Sequence, residues 1–385
     1  MVHMYKAYKF RMYPTRDAQA KLNSFMGTSR FIYNYYLNER INRYKNEKLS
    51  YSLWDMKKDL KLLQEKYKWL KDVDGCLLRT TLDDLDRAYS NFFKDSGFPR
   101  FKSKNHHDTY RTVCIRSSHK DNNYSNIKVD LERRVIKLPK IEEIKIRGYR
   151  NLKLFDKKII NATISKEANK YYVSVLAEEE DTNNELSLNS AVGLDLGIKN
   201  LVVTSDGIKY EAMKKINRFE KKIKGLNRWL SRTKKESNNR RKVIAKIQRV
   251  NMKLRNIRKY YTHLITTKLV RNHDLIVAEK LQVKEMIENS KTFLKKSIAN
   301  SVFSEIIRQL KYKAKWNNKK FIQIDKYYPS SQECCHCGER NKELKDLSIR
   351  EWECKSCGSL NDRDINASIN ILYEGVKKYY REQLS

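Results

Sequence analysis

Three acidic residues stand where apolar runs ought to stay apolar. Asp195 interrupts Val192-Gly-Leu-Asp-Leu196, Glu279 closes Leu275-Ile-Val-Ala278, and Asp364 heads Asp364-Ile-Asn-Ala-Ser-Ile-Asn-Ile-Leu372. A carboxylate taken out of water at the end of a sheet costs several kcal/mol unless a positive charge compensates it. The pattern therefore suggests a fold that gathers three distant segment ends around a divalent cation. Carboxylate oxygens suit magnesium or manganese. Two such ions about 3.5–4 Å apart clamp the attacking and leaving oxygens of a phosphodiester. In that arrangement Asp195 bridges both ions, while Glu279 and Asp364 each favour one. The bland alternative is three unrelated surface or capping residues, Asp364 as a helix N-cap among them. Asp362 is a rival for Asp364; Asp364 is preferred because Asn366 follows in the same turn and could support it.

The segments around these residues predict an α/β sheet. Strands are expected at about 191–196, 200–204 and 208–212 as a meander, followed by a long basic helical stretch over about 213–272. A strand at 275–279, helices to about 317 and a strand at Phe321-Ile-Gln-Ile-Asp325 come next, then a cysteine-rich insert and a last helix. That order is the order of an RNase H-type sheet, in which the first strand lies centrally beside the strand carrying Glu279. The first half reads differently. A strand over 4–13 ends at Pro14, Thr15 looks like an N-cap with Asp17 in the first turn, and helical character runs with breaks to about Lys94. Ser96-Gly-Phe-Pro-Arg-Phe-Lys-Ser-Lys104 breaks it, and strands return over 110–180 with a hairpin at 159–164 and 171–176. A β module interrupted by helices is expected, with an acidic, Asn-rich linker at 178–185 and the main boundary near 189.

The charge balance narrows the partners. Lys and Arg number 82 against 46 Asp and Glu, a formal net charge of +36 over 385 residues. Such self-repulsion is destabilising and is relieved by a polyanion; 24 tyrosines among the bases can stack on unpaired nucleotides. Phosphate contacts are expected from the stretch 228–258, with Arg228, Arg232, Arg240, Arg241 and Arg249 among its bases and Leu230, Ile244, Ile247, Val250 and Leu254 as its apolar stripe. Lys57, Arg79 and Arg87 are candidates for DNA contact by charge alone.

Five of the seven cysteines fall between 334 and 357. Cys334-x-x-Cys337-Gly and Cys354-x-x-Cys357-Gly have the spacing of a four-Cys zinc site, which is closed and structural. Cys335 and His336 lack the following glycine and are taken as non-ligands. The N-terminus shows no apolar signal segment, and no apolar stretch approaches the ~18 residues of a membrane span. A reducing, cytoplasmic and nucleoid-associated prokaryotic setting is expected, with no membrane partner. The oligomeric state stays open, a monomer being preferred.

Val192-Gly-Leu-Asp-Leu-Gly-Ile-Lys-Asn200, Ile276-Val-Ala-Glu279, Pro329-Ser-Ser, the two Cys-x-x-Cys-Gly elements and Asp362-Arg-Asp-x-Asn-Ala367 together resemble the transposon-encoded TnpB family, compact relatives of type V CRISPR effectors. Tyr8-Lys-Phe-Arg-Met-Tyr-Pro14 and Phe98-Pro-Arg-Phe-Lys102 carry the likeness into the first half. The resemblance implies an RNA-guided DNA endonuclease. Its guide comes from the transposon end, its target is double-stranded DNA beside a short adjacent motif, and a single RuvC-like site cuts both strands. It also implies a β-barrel-like wedge domain over 1–189 (strands about 1–13 and 106–189) with a helical recognition insertion at about 15–104. A RuvC-like nuclease domain follows over 190–385, with a zinc ribbon inserted at about 327–361. Asp195, Glu279 and Asp364 become the catalytic, magnesium-binding carboxylates, and Cys334, Cys337, Cys354 and Cys357 the zinc ligands. Asn361 stands where many relatives have His, Lys280 follows Glu279 where an acidic or amide residue is common, and 285–297 corresponds to a mobile lid. Two other readings are an RNA-guided repressor that has lost cleavage, which a missing carboxylate would mark, and a DNA-strand transferase, which would need no guide RNA.

Overall fold

The computed structural model describes residues 4–104, 108–115, 125–148, 158–179, 188–213, 216–282, 285, 288, 302–346 and 348–384. The chain divides into two compact units, Met1–Asp181 and Thr182–Ser385.

The first unit begins with β1 (Met4–Tyr13), in which Tyr8, Phe10 and Met12 turn inward while the bases between them turn out. Pro14 ends it and Thr15 caps α1 (Arg16–Glu47), its hydroxyl accepting the Ala18 N–H at 3.2 Å. Then follow α2 (Leu53–Lys66), opened by a Ser52–Asp55 capping box, and α3 (Gly75–Phe92), capped by Asp74. Six strands close the unit: β2 (Asp108–Val113), β3 (Lys128–Asp130), β4 (Val135–Leu138), β5 (Ile141–Arg147), β6 (Ile159–Glu167) and β7 (Lys170–Glu179). All seven strands form one antiparallel sheet in the order β2-β6-β7-β1-β5-β4-β3. Asn126, just before β3, binds Ile115, just past β2: its side-chain carbonyl accepts the Ile115 N–H at 2.7 Å. The two edges of the sheet are thereby tied at one end. The inserted helices and the sheet share one hydrophobic core, in which Leu22, Met26, Ile32 and Leu77 pack with Phe10, Ile136 and Val173. The acidic stretch expected as linker starts inside β7, where Glu179 pairs with Met4; 180–187 lie outside the described residues.

In the second unit β8 (Ala191–Asp195), β9 (Asn200–Thr204) and β10 (Lys209–Glu211) form the expected meander. The basic stretch is two helices rather than one, α4 (Ile216–Ser231) and α5 (Asn238–Asn272). Glu236 takes a left-handed turn (φ 65°) and the Ser237 hydroxyl caps α5 by accepting the Arg240 N–H at 3.1 Å. Next come β11 (Leu275–Glu279), α6 (Phe303–Trp316), β12 (Lys320–Ile324), the ribbon strands β13 (Glu351–Glu353) and β14 (Leu360–Asp362), and α7 (Arg363–Leu384). The main sheet runs β10-β9-β8-β11-β12, antiparallel on the meander side and parallel from β8 through β12. This is the RNase H-type order, with β8 central. Asp274 pins the strand starts: its carboxylate accepts the Asn189 and Ser190 N–H groups at 3.0 and 3.1 Å and pairs with Lys319.

Helices cover both faces. Ile265, Leu269, Phe303, Ile306 and Leu310 pack on Val192, Leu194, Ile276 and Ala278, while Ile371 packs on Leu275, Val277, Ile322 and Ile324. Helix α7 lies so close to β8 that a Cβ on Gly193 would sit 2.0 Å from the Ser368 carbonyl oxygen. Gly193→Ala is expected to lever α7 off the sheet and to cost about 2–3 kcal/mol, at the high end of overpacking. Chemical denaturation measures it; an unchanged midpoint would mean that α7 seats otherwise.

Candidate metal centres

Strand pairing alone brings two of the three carboxylates together. Leu194 and Ala278 are the last partners of the parallel β8–β11 pair, so Asp195 and Glu279 follow side by side at the ends of adjacent strands. Asp364 enters from the first turn of α7, the helix that Gly193 allows onto β8. The charges of the other two reach Asp195, although the oxygens of the three do not all lie within 4.8 Å of one another. Burial pushes the Asp195 carboxyl up to about 8, and the charges of Glu279 and Asp364 add to the rise. Burial pushes Glu279 up to about 6. Arg350 donates to Asp364 at 3.2 Å. Two carboxylates held well above their ordinary range beside a third are oxygen ligands short of positive charge, and they fit a hard divalent cation.

The structure separates Asp362 from Asp364. Asp362 is the helix cap: its Oδ1 accepts the N–H groups of Asp364 (3.1 Å) and Ile365 (3.0 Å), and its Oδ2 meets the Lys209 ammonium at 2.5 Å. Burial acts to raise its carboxyl, but Lys209 and these N–H groups hold it below the usual range. Asp364 is therefore not the cap, as one alternative had it; its carboxylate accepts from Arg350. Asn366 does not support Asp364 directly. Its Oδ1 accepts the Cys335 N–H at 2.8 Å and its Nδ2 donates to the Glu333 carbonyl at 2.7 Å. The lid expected over 285–297 lies, apart from Glu285 and Glu288, outside the described residues.

The second centre is the ribbon. The sulfurs of Cys334, Cys337, Cys354 and Cys357 all lie within 4.8 Å of one another, the one such group of metal-ligating side chains among the described residues. The two knuckles repeat each other. Gly338 (φ 78°) and Gly358 (φ 70°) each turn back so that their N–H groups meet the carbonyls of Cys334 and Cys354 at 2.8 Å. Burial acts to raise the Cys334 thiol, yet Ser359 and the N–H groups of Cys337 and His336 hold it down at about 6. Four cysteine sulfurs gathered this closely fit zinc. Cys335 stands outside the group beside Asn361, and His336 is exposed.

The basic candidates fare unevenly. Arg228, Arg232, Arg241 and Arg249 are exposed along the α4–α5 hairpin. Arg240 is occupied instead, donating to the Leu230 carbonyl at 3.1 Å and closing the end of α4. Of the expected stripe, Val250 and Leu254 are buried in α5, with Val243 and Met252 beside them; Ile244, expected in it, faces outward. Lys57 pairs with Asp83 at 2.7 Å, Arg79 lies near the Cys76 sulfur, and Arg87 is exposed. Arg350 and Lys209 were missed in the sequence. Nothing marks one base among so many until the fold places it. The exception is Arg363 inside Asp362-Arg-Asp364, which buries its guanidinium against the carbonyls of Asp346 and Ile349.

Residues 174–290 match the OrfB_IS605 family, described as "Probable transposase". Residues 303–371 match "Cas12f1-like, TNB domain". Residues 1–48 match the "Helix-turn-helix domain" of OrfB_IS605, although here they hold one strand and one helix. "Putative RNA-guided DNA endonuclease InsQ" of Escherichia coli (strain K12) is 33% identical over 391 residues, 96% of this chain and 92% of that protein. A "Putative RNA-guided DNA endonuclease" of Streptomyces pristinaespiralis is 32% identical over 386 residues, covering 98% and 90%. Among solved structures, the protein of a Cas12f1-sgRNA-target DNA complex superposes with a TM-score of 0.55 at 12% identity, over 96% of this chain and 98% of that one, a likeness of fold.

Proposed function

The chain belongs to the OrfB_IS605 (TnpB-type) family, and from that premise we propose that it is a DNA endonuclease directed by a bound RNA. The observation that carries this reading is the set of three carboxylates: Asp195 and Glu279 at neighbouring strand ends, Asp364 close enough to Asp195 for its charge to act there, and two of the three with carboxyls raised to about 8 and about 6. A repressor that had lost cleavage would have no use for such strain, and all three acids are present.

In the proposed mechanism Asp195, Glu279 and Asp364 are the residues that would hold magnesium or manganese. The bound ions would supply an activated water and neutralise the charge that builds on the phosphodiester. The Arg350 guanidinium steadies Asp364 and, lying beside that carboxylate, would be placed to meet a phosphate oxygen. Cys334, Cys337, Cys354 and Cys357 would hold a zinc ion that keeps the ribbon folded. The first unit would serve as a barrel-like wedge with its helices as the recognition insertion, and the exposed arginines of α4 and α5 would line the path of RNA or DNA phosphates. The guide would come from the end of the element itself, and a short motif beside the target would license pairing.

The test is to purify the protein from cells carrying its native flanking DNA and sequence the RNA that comes with it. That complex is then offered, with magnesium, a DNA library matching the RNA's 3′ segment. Magnesium-dependent cuts beside one short motif are expected. A defined RNA with binding and no cuts would replace the nuclease by a repressor; absence of any defined RNA would favour strand transfer.

A further inference from the structure

The two knuckles of the ribbon reach the nuclease helix by different routes. The second is continuous with it: Cys357 leads through β14 to the Asp362 cap and into α7. The first knuckle meets α7 by side chains alone, through two asparagines one turn apart. Asn366, 1% exposed, reads the knuckle backbone with both ends of its amide, accepting from the Cys335 N–H (2.8 Å) and donating to the Glu333 carbonyl (2.7 Å). Asn370, 4% exposed, donates to the carbonyls of Ser330 (2.8 Å) and Glu333 (2.7 Å). A buried amide is costly to leave unpaired, and these are satisfied by the backbone that the zinc-ligating Cys334 belongs to. Asp364 lies two residues before Asn366, in the same turn.

We propose that Asn366 and Asn370 are positioning residues that clasp the first zinc knuckle to α7 and thereby fix Asp364 for the nuclease metals. The proposal rests on the reading of Asp364 as a metal-binding carboxylate. With zinc bound, the knuckle is a rigid rail and the clasp holds the first turn of α7 at one height over Asp195. Without the clasp the ribbon can keep its zinc, but the turn carrying Asp364 loses its tie to the first knuckle and keeps only those from 346–363: the Asp362 cap, Arg350, and the bonds of Arg363 to the Asp346, Ile349 and Arg350 carbonyls. Outer partners of this kind orient metal ligands and are worth about 10–100-fold in metal affinity.

The test uses the protein–RNA complex of Asn366→Ala and Asn370→Ala beside the parent. Zinc is measured by elemental analysis, manganese affinity by electron paramagnetic resonance, and guided cutting as a function of magnesium. Asn366→Ala is expected to keep its zinc, to bind manganese about tenfold more weakly, and to recover much of its cutting in excess magnesium. Asn370→Ala, which leaves the Cys335 bond in place, is expected to show a smaller shift in the same direction, and it carries the test if Asn366→Ala does not fold. Manganese affinity equal to the parent's in the variants, with only a lowered melting temperature, would overturn the clasp. So would loss of zinc from Asn366→Ala, because the asparagine would then belong to the ribbon's own fold. Asp364→Asn serves as the separate control: if it neither weakens manganese binding nor slows cutting, the carboxylate reading fails whatever the asparagines do.

Discussion

Asp195→Asn is expected to lower guided cutting by about a thousandfold or more while leaving RNA binding at the parental level, because on the proposed reading it removes a charged metal ligand and changes little else in the fold. The same variant should gain stability when metal is withheld. The folded-state carboxyl of Asp195 is raised to about 8 from an ordinary 3.8, so the folded protein keeps a proton that the unfolded chain has released. As pH climbs between those two values the unfolded state is increasingly favoured, and the penalty is complete above about 8. Glu279, raised from 4.5 to about 6, acts in the same direction over a lower window. In a chelator, parent and variant should melt close together near pH 4–5, and the variant should pull ahead by about 2–3 kcal/mol near pH 8, a figure discounted for relaxation around the buried acid. Added magnesium should close the gap by stabilising the parent alone. A gap of the same size at both pH values would mean that burial and repulsion at Asp195 are not its cause.

Asp195 and Glu279 were legible because a charge inside Val192–Leu196 or after Leu275–Ala278 has no cheap explanation, and the parallel pairing of β8 with β11 then sets the two side by side. The third acid was half legible. Sequence offers both Asp362 and Asp364 and prefers Asp364 on the strength of Asn366; helix geometry, with Asp362 accepting two N–H groups of the first turn, makes Asp362 the cap. The four cysteines were legible from spacing and the trailing glycines, since both knuckles need the same left-handed turn. Arg350 was not, because in a chain of 82 bases a functional arginine looks like every solvated one. The break between α4 and α5 was hidden for a different reason. It contains neither Gly nor Pro; Glu236 adopts the turn and Ser237 restarts the helix, choices that packing of the hairpin settles.

Cys354→Ser is expected to remove the roughly one zinc per chain that four thiolates hold and, with it, guided cutting. The ribbon has little else to keep it folded. Its core is Cys334, Leu344, Trp352 and Cys354 with Ile349 against them, and its sheet is three residue pairs between β13 and β14. So small a core does not fold without a staple, and a structural zinc contributes about 10–16 kcal/mol of binding energy to folding. The damage should run to Asp364 by a defined path. β14 carries Asp362, so a melted ribbon releases the cap of α7 and its tie to Lys209, and the turn bearing Asp364 frays. The main sheet should survive, because α7 packs on it through Ile371 and the Gly193 contact, which belong to a different cluster. Two signals are therefore expected to part company. Metal analysis should find the zinc gone and cutting absent, while calorimetry should keep the main unfolding transition within a few degrees of the parent's. If that transition collapses with the zinc, the ribbon holds the whole second unit together. If zinc content and cutting are unchanged, Cys354 is not a ligand.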